Sequence, residues 1–324
     1  YPSALDTSAA APRQGNPARR LKIGRPHQQR GRSHILQDML GDVLGVKLSL
    51  GTISNAEEKV SAALAPAHAE AALIVDRARA KNSDATSWRQ RGEARTLWVM
   101  ASRLATVFQI VTDGTRATLR SLIGSLGGVL MTESGTQFGF WAMEKRQICW
   151  AHLIRKFVAF SEHADDDVSH LGDTMVLAAQ AMLSRWHRVR DGTLSREEFA
   201  AVTVPNAEAM FVRMLETGIA LDRRGVSGSC RDILEHRAAL FTFATTPGVD
   251  PTNNHAEREL RAFVLWRKTS LGSQSDRGDR FAERTMTVLA TLRKHGRHPL
   301  AYLREAITAS LRNAPTPALI PLTP

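Results

Sequence analysis

Asp84-Ala85-Thr86-Ser87-Trp88-Arg89, Thr96-Leu97-Trp98-Val99-Met100 and Thr106-Val107-Phe108-Gln109-Ile110 decide how the rest of the chain is read. In each, β-branched and aromatic residues alternate with polar ones, and Gly92 and Arg103-Leu104 mark the turns between them. This pattern predicts a meander of three strands. Thr115 to Leu126 then keeps helical spacing, with Leu119, Leu122, Ile123 and Leu126 on one face. Gly127-Gly128 opens a short apolar run, Val129-Leu130-Met131, suited to a fourth strand buried beside the first.

Three strands, a helix and a buried strand open an RNase H-like α/β fold. Working outward from them, residues 147–240 are almost wholly helical in pattern, with Met175, Leu177, Ala179, Met182, Leu183 and Trp186 at helical spacing. Ser195-Arg196-Glu197-Glu198 is a capping box before Phe199. These Met and aromatic stripes read as core, and the segment as a helical insertion. Pro247-Gly248-Val249-Asp250-Pro251 is a loop, and a capped helix from Thr252 through Val264 follows. Leu271 to Gly278 is polar and turn-rich. The expected core therefore covers 82–146 and 241–280, followed by C-terminal helices over 281–312 and a loose, Pro-rich tail over 313–324.

On the other side, Ser33 can cap a helix carrying Ile35, Leu36, Met39 and Val43, stopped at Gly45. Ser49 can cap a second one, which Pro66 is expected to break, with a further helix from Ala67 to about Lys81. Helix, short turn and polar-faced helix is the plan of a helix-turn-helix DNA reader, and equally of an ordinary helical hairpin. The segment 34–81 is thus a helical, helix-turn-helix-like DNA-binding candidate, with Ser49, Thr52 and Asn55 facing the groove. Residues 1–33 hold seven basic residues against Asp6 alone and no apolar period, which predicts a flexible basic arm.

Composition narrows the function classes. The 43 Lys+Arg against 32 Asp+Glu leave a formal charge of +11, which favours a polyanionic partner. Cys149 and Cys230 alone exclude a disulfide framework and a Cys-rich zinc module, and suit a reducing compartment. No stretch approaches the roughly 18 consecutive apolar residues of a membrane span, and the first residues hold no apolar signal core. A cytoplasmic, nucleoid-associated protein with no membrane partner is expected. Because the chain begins at Tyr1 rather than Met, an upstream portion is expected to be missing.

A phosphoryl-transfer site on such a sheet needs carboxylates on the first strand, just after the fourth, and on a later helix, holding two divalent metals. Asp84, Glu133 and Glu257 occupy those three places. Spacing alone leaves the alternative that each is a surface acid. The surrounding blocks carry more. Pro251-Thr252-Asn253-Asn254-His255-Ala256-Glu257-Arg258-Glu259-Leu260-Arg261 resembles the third-carboxylate helix of the insertion sequence 66 family of DDE transposases. Arg267-Lys268-Thr269-Ser270-Leu271-Gly272-Ser273-Gln274-Ser275 is similar to the segment that follows it there. Gln147-Ile148-Cys149-Trp150-Ala151-His152-Leu153-Ile154-Arg155 resembles the block after the second carboxylate, and Asp84-Ala85-Thr86-Ser87-Trp88 the first. Leu48-Ser49-Leu50-Gly51-Thr52-Ile53-Ser54-Asn55 is similar to the family's N-terminal block.

The resemblance implies a transposase that binds terminal-repeat and target DNA as a homo-oligomer and catalyses metal-dependent cleavage and strand transfer. Asp84, Glu133 and Glu257 would hold two Mg²⁺ or Mn²⁺ ions per site. Cys149, His152, Asn253 and Asn254 would support that site, while Arg258, Arg261, Arg267 and Lys268, crowded by Arg277, Arg280 and Arg284, would contact phosphates. The chain departs from the family pattern at three points. Glu133 stands where the family has Asp, in Thr132-Glu133-Ser134-Gly135-Thr136 rather than an Asp-Arg-Tyr-like stretch; Ala85 stands where Glu is usual; and an upstream cysteine-containing module is absent. A catalytically inactive remnant that only binds DNA is therefore the alternative. Cys149 and His152 at i, i+3 form too small a set to read as a metal site by themselves, and Asp113 and Asp165-Asp166-Asp167 read as loop acids.

Overall fold

The computed structural model describes residues 32–270 and 272–320, so the basic arm falls almost wholly outside it. The chain divides at Leu50. In the first unit, helix α1 (Arg32–Leu44) ends on Gly45 at φ 67°, and the Gln37 side chain donates to the Leu48 carbonyl at 2.6 Å.

The second unit is built on a five-stranded sheet. Its strands are β1 (Ala80–Gln90), β2 (Glu93–Ala101), β3 (Thr106–Val111), β4 (Val129–Thr132) and β5 (Arg146–Ile148), in the order β3-β2-β1-β4-β5. Only β2 runs against the others. The expected meander and fourth strand are present. Strand β5 is an addition: Arg146 and Gln147 gave no strand pattern, yet both are buried and pair with Leu130 and Met131. Strand β1 also starts earlier than its apolar pattern. Ala80, Lys81 and Asn82 pair with Val129, Leu130 and Met131, so Asp84 lies within the strand rather than at its head.

Helix α2 (Leu50–Asp76) is one continuous helix of 27 residues, and the expected break at Pro66 does not occur. Proline removes one backbone hydrogen bond and crowds the preceding turn. Burial offsets that cost: Leu64, Ala67, Ala71 and Val75 pack with Val107, Val288, Leu292 and Tyr302. The α2 pattern ends at Asp76, short of the Lys81 expected, because Lys81 belongs to β1.

Two-residue alternation divides the sheet's faces. Trp98 and Leu130 face α3 (Arg116–Leu122) and the segment 136–141, through Leu119, Ile123, Phe138 and Trp141. Trp88, Leu97, Val99 and Phe108 face α10 (Asn254–Ser270) and α11 (Asp276–Lys294), through Leu260, Phe263, Ala282 and Met286. Asp84 alternates onto this second side, pairing with Val99. Helix α11 also closes the edge of β3. Thr291, Thr287 and Glu283, one helical turn apart, accept from the N–H groups of Thr106, Phe108 and Ile110 at 3.2, 3.0 and 2.5 Å. An open strand edge is thereby satisfied by side chains.

Between β5 and α10 lies the helical insertion: α4 (Trp150–Ser161), α5 (Asp166–Arg190), α6 (Arg196–Glu198), α7 (Val204–Ala220), α8 (Val226–Glu235) and α9 (Thr242–Thr245). Ser195 caps α6 as expected, accepting from the Glu198 N–H at 3.0 Å. Trp150, Phe157, Met175, Trp186, Phe199, Phe211 and Phe243 build its core, continuous with Val129, Met131 and Ile148 of the sheet. Helix α12 (Pro299–Leu311) completes the unit. Residues 314–320, expected to be loose, are instead pinned. Leu319 is fully buried, its N–H reaches Glu70 at 2.8 Å, and Tyr302 donates to the Pro317 carbonyl at 2.8 Å. No helix among the described residues is long and apolar enough to cross a membrane.

Candidate active site

Three chain segments converge on one polar cluster. Asp84 comes from β1, Glu133 follows β4, and Glu257 sits in the first turn of α10. His152, one turn into α4, links them. Its Nε2 lies 2.6 Å from Glu133 Oε1, and its Nδ1 lies 3.8 Å from Glu257 Oε1. Asp84 is close enough for the charges of both glutamates and of His152 to act on it. A cavity of about 130 Å³ opens between Asp84 and Glu133, walled by Trp98, Gln137 and Phe138.

The backbone that aims these groups is fixed by buried polar contacts. Asn253, fully buried, donates from Nδ2 to the Ser83 carbonyl at 2.8 Å and accepts at Oδ1 from Asn82 Nδ2 at 2.9 Å. Its own N–H points at Cys149 Sγ at 3.1 Å. One side chain thus ties the strand before Asp84 to the helix start before Glu257 and to the start of α4. Arg146, also buried, donates to the Glu133 carbonyl at 3.2 Å, and the Cys149 N–H to the Thr132 carbonyl at 2.9 Å. Gln147 and Trp150 hold the returning end of the insertion, both donating to the Leu240 carbonyl at 3.0 and 2.7 Å.

Electrostatics follow from this crowding. Burial foremost, aided by the charges of Glu133 and Glu257, pushes the Asp84 carboxyl up to about 6, against the Ala85 N–H that it accepts at 2.8 Å. Hydrogen bonding to Cys149, and next to Glu133, raises His152 to about 10, so the ring is an imidazolium. The same His152 contact holds Glu133 below its usual value. With Nε2 protonated and donating to Glu133, the 3.1 Å approach of Arg155 Nη1 to that nitrogen is a cation–cation contact, not a hydrogen bond. Arg155 also lies 3.6 Å from Glu257.

Two ligand sets can be tested against this geometry. Cys149, His152 and Glu257 present donor atoms within 4.8 Å of one another, a set that suits zinc. Coordination by that set would require His152 to release its proton on binding the metal. The three carboxylates offer only oxygen, suited to Mg²⁺ or Mn²⁺. Glu257 Oε1 and His152 Nδ1 are both buried without a partner in good hydrogen-bond geometry, and a cation held by either set would satisfy the Glu257 oxygen. The donor chemistry of the three carboxylates suits such an ion, whereas their oxygens, unlike the donor atoms of Cys149, His152 and Glu257, do not all lie within 4.8 Å of one another.

The Transposase IS66 family model matches residues 34–280, which takes in the sheet, the insertion and all three carboxylates. The chain belongs to the IS66 transposase family. It is also similar to the uncharacterized protein y4qI of Sinorhizobium fredii, 27% identical over 184 residues, or 54% of this chain. That match spans 33% of the relative's own length. No solved structure matches.

Against the IS66 pattern, the remaining candidate residues fall into two groups. Arg258, Arg261 and Lys268 are exposed along α10, and Ser49, Thr52 and Asn55 are exposed as well. Three arginines are bonded to named partners within the chain. Arg267 donates to Thr86 Oγ1 at 3.1 Å and to Ser87 Oγ at 2.7 Å. Arg277 pairs with Glu58 at 2.9 Å and bonds Ser54; Arg284 donates to the Ser61 carbonyl at 3.0 Å. The block Gly272-Ser273 has a similar structural role. Ser273 exchanges backbone hydrogen bonds with Arg89 and Arg91, and Asp279 accepts from Trp88 Nε1 at 2.9 Å and Gln90 Nε2 at 2.6 Å. Cys149 and Asn253 are buried, while Asn254 is exposed at the helix start. Sequence reading missed Asn82, Ser83 and Arg146. Their positions became readable only once β1 was extended and β5 recognised.

Proposed function

We propose that this chain is a DDE-type DNA transposase with an RNase H-like core, which hydrolyses phosphodiester bonds at element ends; each freed 3′-hydroxyl then attacks a phosphodiester of target DNA, forming the new strand junction and releasing a target 3′-hydroxyl. The observation that carries the reading is the convergence of Asp84, Glu133 and Glu257 around His152. The strand order, with β2 alone reversed, supports the fold assignment. Asp84, Glu133 and Glu257 would hold two Mg²⁺ or Mn²⁺ ions, which lower the pKa of an attacking oxygen and stabilise the leaving one. Asn253 and Arg146 orient the backbone of those ligands, and His152 fixes the Glu133 carboxylate. Arg261 and Lys268, near the Glu257 face of α10, would place the DNA backbone beside the site, Arg258 would contact it farther around the helix, and Ser49, Thr52 and Asn55 would read terminal repeats. Paired ends imply a multimer on DNA.

One observation favours the second reading, a DNA-binding remnant. Glu133 is one methylene longer than the aspartate of the family pattern and is already held by His152 at 2.6 Å. Site geometry tolerates little displacement. Strand cleavage of duplex DNA carrying the element ends, with Mg²⁺ or Mn²⁺, separates the two. Nicking by the wild type, lost in Glu257→Gln, is expected from the transposase. Clear DNA binding without wild-type nicking, with activity appearing in Glu133→Asp, would show the remnant.

A further inference from the structure

A second feature of the core unit lies apart from the carboxylates. A groove of about 1410 Å³ runs between the end of α2, the β2–β3 turn, the start of α10 and the end of α11. Six basic side chains line it, Arg77, Arg79, Arg103, Arg258, Arg293 and Lys294, against the acids Asp250 and Glu259. Neither Asp84, Glu133, Glu257 nor His152 is among its walls. Helical geometry explains the separation: at about 100° per residue, His255 and Glu259 each sit about 160° around α10 from Glu257.

The basic groups differ in how they are held. Lys294 is neutralised in place, 2.8 Å from Glu259 and donating to the Ser102 carbonyl at 3.1 Å, so it serves the wall. The five arginines are exposed, and none makes a side-chain hydrogen bond or ion pair to another described residue. Arg267, Arg277 and Arg284, by contrast, are bonded internally. Five unpaired guanidiniums collected from separate segments along one groove repel one another. Such an arrangement suits a ligand carrying repeated negative charge. No Phe, Tyr or Trp lines the groove among the described residues, and its one imidazole, His255, is engaged by Glu259 at 3.3 Å, so the groove offers no broad platform for unstacked bases.

We propose that this groove binds the phosphate backbone of duplex DNA at a station distinct from the cleavage site. The choice of DNA as the polyanion rests on the transposase reading; the groove itself does not. Contacts of this kind position a duplex without reading its sequence. Each arginine that neutralises a phosphate contributes about 0.9 to the slope of log affinity against log salt.

The test measures binding without divalent metal, so its outcome is independent of cleavage. A fluorescein-labelled DNA duplex of arbitrary sequence is titrated with the full chain in EDTA over a series of salt concentrations. The double variant Arg103→Ala/Arg293→Ala should lose about 2 units of salt slope and bind about tenfold or more weakly at physiological salt. Arg188→Ala/Arg190→Ala, which removes equal charge from exposed positions on α5, should leave the slope unchanged. Arg103→Lys/Arg293→Lys should restore it, which guards against a folding artefact. Wild-type binding by the alanine variant, an equal loss in the α5 control, or no rescue by lysine would each overturn the proposal.

Discussion

Replacing Asn253 with leucine tests the idea that one buried amide aligns the three carboxylate-bearing segments. The side chain makes two hydrogen bonds, to the Ser83 carbonyl at 2.8 Å and from Asn82 Nδ2 at 2.9 Å, and is fully buried. Each such bond is worth about 1 kcal/mol net, and a buried partner left unsatisfied costs about 1–3 kcal/mol more. Asn82 keeps only a 3.6 Å contact to Met131 Sδ, a weak substitute. Leucine has similar volume, so cavity formation adds little. The backbone N–H of residue 253 keeps its contact with Cys149. A loss of about 3 kcal/mol is therefore expected, read as a lower urea midpoint at unchanged m value in tryptophan-fluorescence unfolding. The partners precede Asp84 by one or two residues, so divalent-metal affinity should fall in the folded variant as well. A midpoint shift equivalent to less than about 1 kcal/mol would refute the assignment of Asn253 as the alignment post.

Two further predictions concern the frame. Gly128 has φ 74°, and a Cβ there would lie 2.4 Å from the Ala78 carbonyl and 2.7 Å from that of Arg79, both backbone atoms; Gly128→Ala should cost about 2 kcal/mol or more by urea melting. Burial raises Glu283 from 4.5 to about 7, so the folded state keeps a proton that the unfolded state releases. Its contribution is neutral below pH 4.5 and grows unfavourable as pH rises to 7, by up to about 3 kcal/mol. Glu283→Gln, which can still accept from the Ile110 N–H, should remove that slope and be more stable than wild type at pH 8 in parallel melts. A variant less stable at pH 8 would contradict it.

The apolar segments of this fold were readable because their periods are clean. The three meander strands, β4 and the insertion helices follow directly from alternation or helical spacing. Elements whose burial depends on polar residues were not. Lys81 and Asn82 hide the start of β1, Arg146 and Gln147 hide β5, and all four are buried through specific partners no local pattern encodes. Pro66 misled for the opposite reason, since tertiary burial of α2 outweighs a local rule. At the site, Asp84, Glu133 and Glu257 were placed by strand and helix position together with family resemblance. His152 looked like a supporting residue, yet its ring is the hub that touches two of the three acids. The basic stretch around α10 looked uniform in sequence. Only the fold separates Arg267, bonded to β1, from Arg258, exposed in the groove.

Mn²⁺ binding followed by electron paramagnetic resonance tests the central claim, that Asp84, Glu133 and Glu257 form one divalent-metal site. The wild type should take up Mn²⁺, and Asp84→Asn, Glu133→Gln and Glu257→Gln should each weaken uptake by about tenfold or more while retaining the wild-type fold. Mn²⁺ uptake unchanged in all three variants, or none by the wild type, would contradict the account.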